Sequence, residues 1–353
     1  MKLILSLAAI GCLVNVAAAG EKAPTPPPST ELTVTWWGCM SVEVNVGEVS
    51  ILFDPYIKPD EPRFDFIFCS HDHYDHCHEE TLRKLIVPWD ARFKLLMASR
   101  ACFYASRIEG PNNWGDCLLS DLSFVPRSKC IAMYPKYMDT VSGHIRHDKE
   151  PAAYPGPTEL VLGRLRVETF RSHEDAQPGA MYRGELRICP SRPKELSGPW
   201  PNLGYLVTDN VTGRSIAHTG DIWNAYPEMQ KMRGKVDVLF YPVGKLPLEE
   251  KVKMMDYIRP KIAIPTHYRM LDEPDFPIPA TYLAKMKEED VYKSPENERE
   301  AILGNWYPSS ADPVKDITEQ RGKVKEFTRV VELKAGVRYV LPEKVEEFEG
   351  RER

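Results

Sequence analysis

Residues 70–76 read Ser70-His71-Asp72-His73-Tyr74-Asp75-His76, which gives the pattern His-x-His-x-Asp-His. Neutral imidazoles and carboxylates are the side chains that bind Zn²⁺ and similar divalent ions. So short a segment cannot wrap all four groups around one ion without strain. The spacing therefore predicts two adjacent ions, with His71 and His73 on one and Asp75 and His76 on the other.

The flanking sequence indicates folded protein rather than a histidine-rich, metal-sequestering tract. Residues 64–69, FDFIFC, form an apolar run with aromatic and β-branched side chains, which is typical of a buried strand. Residues 79–85, EETLRKL, carry acids first and bases later, as the start of a helix does. The candidate ligands thus lie on the loop after a strand, where α/β proteins build their sites.

The composition is that of a globular protein, with 42% hydrophobic and 27% charged residues in 353. A net charge of −5 predicts no general attraction to nucleic acid. Residues 1–19 resemble a signal peptide that ends in Ala17-Ala18-Ala19, and the apolar run is shorter than the ~20 residues of a stable membrane span. We expect an exported protein, periplasmic or secreted, and we favour this over lipoprotein anchoring through Cys12.

The rest of the chain is predicted to hold a proline-rich linker over 20–31, one domain over 32–342 and a frayed charged tail over 343–353. Within the domain, four apolar strands end at a residue that can bind a metal: His71, His173, Asp221 and His267. One such residue would be ordinary surface, whereas four predict one shared site. His144 and His147 are alternatives to His173. The loop from Ala176 to Asn202 is either a lid or static.

These motifs resemble the metallo-β-lactamase superfamily. The resemblance rests, in chain order, on residues 71–76, His173, Thr219-Gly220-Asp221 and Ile264-Pro265-Thr266-His267-Tyr268. The opening Thr35-Trp36-Trp37-Gly38 and the corner Leu52-Phe53-Asp54-Pro55 resemble its ascorbate-6-phosphate lactonase-like and N-acylphosphatidylethanolamine phospholipase D-like branch. The resemblance implies an α/β fold, a four-layer αββα sandwich with two metal ions at one edge.

The resemblance also implies a ligand set. The first ion is held by His71, His73 and His173, the second by Asp75, His76 and His267, and Asp221 bridges the two. Zinc is the favoured metal, and manganese or iron also suits these ligands.

By the same resemblance, a metal-bound hydroxide attacks a phosphodiester, lactone or other ester of a small-molecule or lipid-like substrate. Asp221 and Asp75 are the catalytic carboxylates, and Asp75 orients the water or accepts its proton. β-Lactamase activity is disfavoured because antibiotic-hydrolysing members carry Cys or Ser in place of Asp221. A catalytically silent metal-binding protein is the alternative, although seven intact ligands argue against it.

Residues around the ligands have predicted supporting roles. Asp54 and Asp65 either hydrogen-bond the ligand imidazoles from behind or cap strand ends. Cys77, His78 and His218 adjoin ligand motifs without binding metal themselves. The site mouth is expected to include four further side chains: Trp37, Tyr74, Tyr268 and Arg269.

Overall fold

The computed structural model describes residues 29–56, 61–71, 76–88, 90–99, 102, 122, 124–136, 157–173, 181–182, 185–186, 202–222, 224–243, 246–268 and 313–350. Within these segments the chain forms two seven-stranded mixed sheets and a two-stranded ribbon of β9 (Met181–Tyr182) and β10 (Glu185–Leu186). No helix of the described residues is long and apolar enough to cross a bilayer. The predicted signal peptide lies outside them.

The first sheet has the strand order β16-β1-β2-β3-β4-β5-β6. Its strands are β1 (Leu32–Gly38), β2 (Ser41–Val46), β3 (Val49–Phe53), β4 (Phe66–Cys69), β5 (Leu95–Ser99), β6 (Cys130–Met133) and β16 (Arg338–Val340). The β2–β3 hairpin turns at Gly47, whose φ of 58° suits glycine. From β3 to β6 the strands run parallel, so their carboxyl ends share one edge.

The second sheet has the strand order β15-β14-β13-β12-β11-β8-β7. Its strands are β7 (Glu159–Leu162), β8 (Leu165–His173), β11 (Asn202–Asp209), β12 (Ser215–His218), β13 (Val238–Pro242), β14 (Ile262–Thr266) and β15 (Arg329–Val330). Strands β12 to β15 are parallel, and β8 has the direction of β12 because β11 is antiparallel to both. The carboxyl ends of β8, β12 and β14 therefore lie at one edge.

Helices cover the sheets and complete the layers. On β4, Phe66 and Phe68 enter the core between the sheets, while Ile67 packs with α1 (Glu79–Ile86). Such burial on both faces is typical of a parallel strand. The second sheet carries α2 (Leu248–Ile258) and α3 (Pro313–Val324), which adds apolar side chains to the same core. The predicted αββα sandwich is confirmed.

The charged tail differs from the prediction. Val345 and Phe348 are buried, and Phe348 packs edge-on against Tyr339 of β16 with 5.7 Å between ring centroids. A short 3₁₀ turn over Val345–Glu347 brings both side chains inward. The expectation of fraying is wrong up to residue 350, because two apolar side chains in a charged segment suffice to anchor it.

Candidate metal centre

Strand ends bring the predicted ligands to one place. His71 follows β4 of the first sheet, while Asp221 and His267 follow β12 and β14 of the second. The backbone of His173, the last residue of β8, reaches the same edge. Carboxyl ends of parallel strands are where α/β proteins build sites, and here two sheets contribute to one.

Hydrogen bonds join the two sheets at this edge. The amide of Leu203, in β11, donates to the carbonyl of Ser70 at 2.9 Å. The amide of His267 donates to the carbonyl of Cys39, in the turn between β1 and β2, at 2.8 Å. The ligand-bearing loops are therefore held relative to one another by backbone contacts.

Three imidazoles converge on the carboxylate of Asp221. Its Oδ1 lies 3.3 Å from Nε2 of both His76 and His267, and its Oδ2 lies 3.7 Å from Nε2 of His71. All four side chains are at most 2% exposed. One ligand atom from each of His71, His76 and Asp221 lies within 4.8 Å of the other two, which is close enough to share an ion.

A buried carboxylate fixes the orientation of two of these rings. Asp54 Oδ1 accepts from the Ser70 amide at 2.6 Å, and its Oδ2 accepts from the Ser70 hydroxyl and from His76 Nδ1, each at 2.7 Å. Because the Ser70 hydroxyl donates to Asp54, its oxygen accepts from His71 Nδ1 at 2.9 Å. Both rings thus carry their proton on Nδ1 and turn the lone pair of Nε2 toward Asp221.

This arrangement fits a divalent metal. A carboxylate that faces the lone pairs of two imidazoles in a buried site is repulsive unless a cation lies between them. Imidazole nitrogen and carboxylate oxygen form a donor set for zinc, and they also suit manganese or iron. The Asp54–His76 contact has the carboxylate–histidine form that orients metal ligands.

The two candidate supporting carboxylates have different roles. Asp54 contacts a candidate ligand as predicted, whereas Asp65 does not. Asp65 Oδ2 accepts from the Ser50 amide at 3.0 Å and from Arg92 at 2.8 Å, and its Oδ1 lies 2.9 Å from Lys94 Nζ. Asp65 therefore ties β3 to the segment before β5, which is the strand-cap alternative.

His218, at the end of β12 in the second sheet, lies beside Asp54. It is fully buried and stacks on Phe53 with 4.9 Å between ring centroids. Its Nε2 donates to the carbonyl of Met40 at 2.8 Å, while its Nδ1 accepts from the Gly220 amide at 3.2 Å and lies 3.9 Å from Asp54 Oδ2. Burial lowers the pKa of His218, which agrees with a neutral ring bonded on both sides.

Neighbours of the ligand loop take structural roles. His78 caps α1 by accepting from the Thr81 amide at 3.3 Å. Cys77 is buried beside Cys69 in the apolar cluster under α1, where burial and a hydrogen bond with Cys77 raise the pKa of Cys69. Neither His78 nor Cys77 belongs to a group that could hold a metal among the described residues.

The prediction for Tyr268 is wrong. Its ring is 1% exposed and stacks on Trp36 with 4.8 Å between centroids, so it belongs to the core and not to the mouth of the site. Trp37 is half-buried and donates from Nε1 to Glu43 at 3.0 Å. Tyr74 and Arg269 lie outside the described residues.

Other predicted site residues also lie outside the described part of the chain: His73, Asp75, His144 and His147. Of His173 only the backbone is described. The loop from Ala176 to Asn202 is described only at β9, β10 and its last residue.

Sequence reasoning missed Cys39. Its Sγ and one ring nitrogen each of His76 and His267 all lie within 4.8 Å of one another. No motif marks this cysteine, because the β1–β2 turn is remote in sequence from every ligand. Its only signal is its place just after a strand that opens the first sheet.

Comparisons with known proteins agree with this fold. The chain is 25% identical over 243 residues to a UPF0173 protein of Pyrococcus abyssi, a match covering 67% of this chain and 83% of the relative. A UPF0173 protein of Pyrococcus furiosus is 25% identical over 250 residues, covering 69% and 87%. Among solved structures, the diiron β-hydroxylase CmlA of Streptomyces venezuelae has a TM-score of 0.50 at 13% identity, covering 90% of this chain and 55% of that one.

The family model described as the Beta-lactamase superfamily domain matches residues 33–267. This span runs from β1 to the candidate ligand after β14 and takes in both halves of the site. Residues 33–267 make up well over half of the chain. The chain therefore belongs to the metallo-β-lactamase superfamily, and this membership, with the buried His and Asp cluster, supports a metal-dependent hydrolase in general.

Proposed function

We propose that this protein hydrolyses a phosphodiester, lactone or other ester with the help of two divalent ions. The observation that carries the proposal is the convergence of His71, His76 and His267 on Asp221, with Asp54 setting the imidazole tautomers behind them. Divalent ions held there would make water nucleophilic at neutral pH and polarise the ester.

The protein's own groups would divide the work as follows. Asp221 would bridge two ions, which its contacts support because one oxygen lies toward His71 and the other toward His76 and His267. The Nε2 atoms would hold the ions, because the hydrogen bonds that His71 Nδ1 donates to Ser70 and His76 Nδ1 donates to Asp54 keep both rings from turning. We assign His73 and His173 to the first ion and Asp75 to the second. Asp75 would also accept a proton from the attacking water.

The substrate is expected to be a small or lipid-like ester. Asp221 stands where antibiotic-hydrolysing members carry Cys or Ser, so we do not propose β-lactamase activity. The diiron β-hydroxylase has the same fold, which means that the fold alone does not select hydrolysis. A silent metal-binding role is the competing function, and the assay below separates the two.

The test uses purified protein with measured metal content. We expect about two ions per chain and cleavage of at least one of bis-p-nitrophenyl phosphate, a simple lactone and a carboxylic ester. Chelation should abolish cleavage, and Zn²⁺ or Mn²⁺ should restore it. Asp221→Ala should lower turnover at least about a hundredfold, the scale of a missing metal ligand or general base.

Cys77→Ser serves as the control. Cys77 packs in the apolar cluster under α1, so this substitution should change turnover little. Fully metallated protein that cleaves none of the three substrates would support the silent metal-binding role. A Cys77→Ser variant that is inactive beside an active Asp221→Ala variant would show that the site is wrongly assigned.

We also propose that the protein is exported, on the pattern of residues 1–19. Mass spectrometry of the mature protein should place its N-terminus near Gly20. A full-length product, or one lipidated at Cys12, would contradict this.

A further inference from the structure

Cys39 lies in the turn between β1 and β2, with its side chain fully buried at the metal centre. Its Sγ falls within 4.8 Å of the ring nitrogens of His76 and His267, which themselves lie on loops from different sheets. The cysteine comes from a third segment of the chain. Three separate segments therefore bring a thiol and two imidazoles to one point.

The backbone of Cys39 is held independently of any metal. Its carbonyl accepts from the His267 amide and from Trp36 Nε1, both at 2.8 Å. Its φ is +48°, a left-handed conformation that is unfavourable for an ordinary residue and that glycine adopts freely. If only the turn mattered, glycine or asparagine would be favoured at position 39. The presence of cysteine there is better explained by a role of its thiol.

We propose that the Cys39 thiolate is a ligand of the ion held by His76 and His267. This rests on the metal site of the proposed function. On binding, the thiol proton leaves to solvent and a metal–sulfur bond forms. With Asp221 Oδ1 at 3.3 Å from both imidazoles, the ion has four candidate ligands from described residues alone.

The geometry suits this assignment. With Asp75, which we assign to the same ion, Cys39 makes five protein ligands, a number that zinc can accommodate. Neighbouring ligands at ~2.0–2.3 Å from the ion are about 3–4 Å apart, so a group within 4.8 Å closes by small side-chain movements. Thiolate is a soft ligand that favours zinc, whereas manganese prefers oxygen. Cys39 would therefore select zinc at this position, which imidazoles and carboxylates alone do not do.

X-ray absorption at the zinc edge tests the proposal directly, without any substrate. In the zinc-loaded wild-type protein we expect one sulfur per two zinc ions at ~2.3 Å, beside nitrogen and oxygen at ~2.0–2.2 Å. Cys39→Ser should lose the sulfur signal and bind zinc at least about tenfold more weakly, with little change for Mn²⁺. Cys77→Ala is the matched control, because it removes a buried thiol next to His76 and should keep the signal.

The outcomes separate this proposal from the hydrolase proposal. A wild-type spectrum with nitrogen and oxygen ligands only would overturn the role of Cys39 and leave the hydrolase standing. Loss of sulfur in Cys77→Ala would overturn it as well. Protein that binds no zinc would overturn the role of Cys39, and protein that binds no divalent ion would contradict both proposals. If Cys39→Ser does not fold, the wild-type and Cys77→Ala spectra still decide.

Discussion

Asp54→Asn should weaken metal binding although Asp54 touches no metal. The native carboxylate accepts three hydrogen bonds, from the Ser70 amide, the Ser70 hydroxyl and His76 Nδ1. An amide has one oxygen and one NH₂ group. If the oxygen faces the Ser70 amide, the NH₂ group faces His76 Nδ1–H, and the reverse orientation sets NH₂ against the Ser70 amide. In either orientation the new NH₂ group faces another hydrogen-bond donor with no acceptor between them.

In the first orientation, which keeps the Ser70 amide bonded, the clash is relieved when the proton of His76 moves from Nδ1 to Nε2, which removes the lone pair that faces Asp221. Loss of such a supporting partner weakens metal binding by about 10–100-fold, which corresponds to ~1.4–2.7 kcal/mol. The protein should also be less stable by about 1.5–3 kcal/mol, because hydrogen bonds to a buried charge are lost.

The assay is zinc affinity by competition with a chromophoric chelator, together with urea denaturation of the metal-free protein. Asp65→Asn is the matched control, since Asp65 is an equally buried carboxylate of the same sheet that bonds only Ser50, Arg92 and Lys94. It should lose stability and keep its zinc affinity. Wild-type affinity in Asp54→Asn, or an equal loss in Asp65→Asn, would refute the tautomer argument.

Three further predictions concern stability. Burial depresses the pKa of His218 below 6.5, so the stability that its neutral ring contributes is present above about pH 6.5 and is lost as the pH falls. His218→Gln should therefore make the urea midpoint of unfolding depend less on pH below about pH 6.5. Gly220→Ala should lower the free energy of unfolding by at least about 1 kcal/mol and weaken metal binding, because φ is +58° and a Cβ would lie 2.5 Å from Ser70 Cβ. An unchanged melting temperature would contradict this. Asp316→Asn should lower the free energy of unfolding by about 3 kcal/mol, because it leaves the charge of Lys251, which is 1% exposed, without its partner. Lys251→Met should lower it by less, because the remaining Asp316 is 21% exposed and solvated.

Much of the fold could be predicted from local pattern. The early acids and later bases of residues 79–85 predicted the start of α1, which begins at Glu79. Strand starts were less accurate. The predicted strand over 64–69 begins as β4 two residues later, since an apolar run does not fix where sheet pairing starts.

The site was predictable where its residues follow strands or, for His76, belong to the histidine-rich motif. His71, Asp221 and His267 meet as strand order requires. Cys39 could not be predicted, because its approach depends on how the β1–β2 turn of one sheet packs on β14 of the other. The prediction for Tyr268 was wrong for the same reason, since being next to a ligand in the sequence does not determine which way a side chain points.

Backbone strain supports a preformed site. Among the described residues, four non-glycine residues have a positive φ, namely Cys39, Asp54, Arg259 and His267. Arg259 is a helix C-cap, whereas the other three are in the metal centre: His267 faces Asp221, Asp54 bonds His76, and Cys39 bonds the His267 amide. Each conformation costs roughly 1–3 kcal/mol and persists only when surrounding contacts determine it. Those contacts are hydrogen bonds between protein groups, so protein contacts and not only a bound ion hold the backbone of these three residues in place.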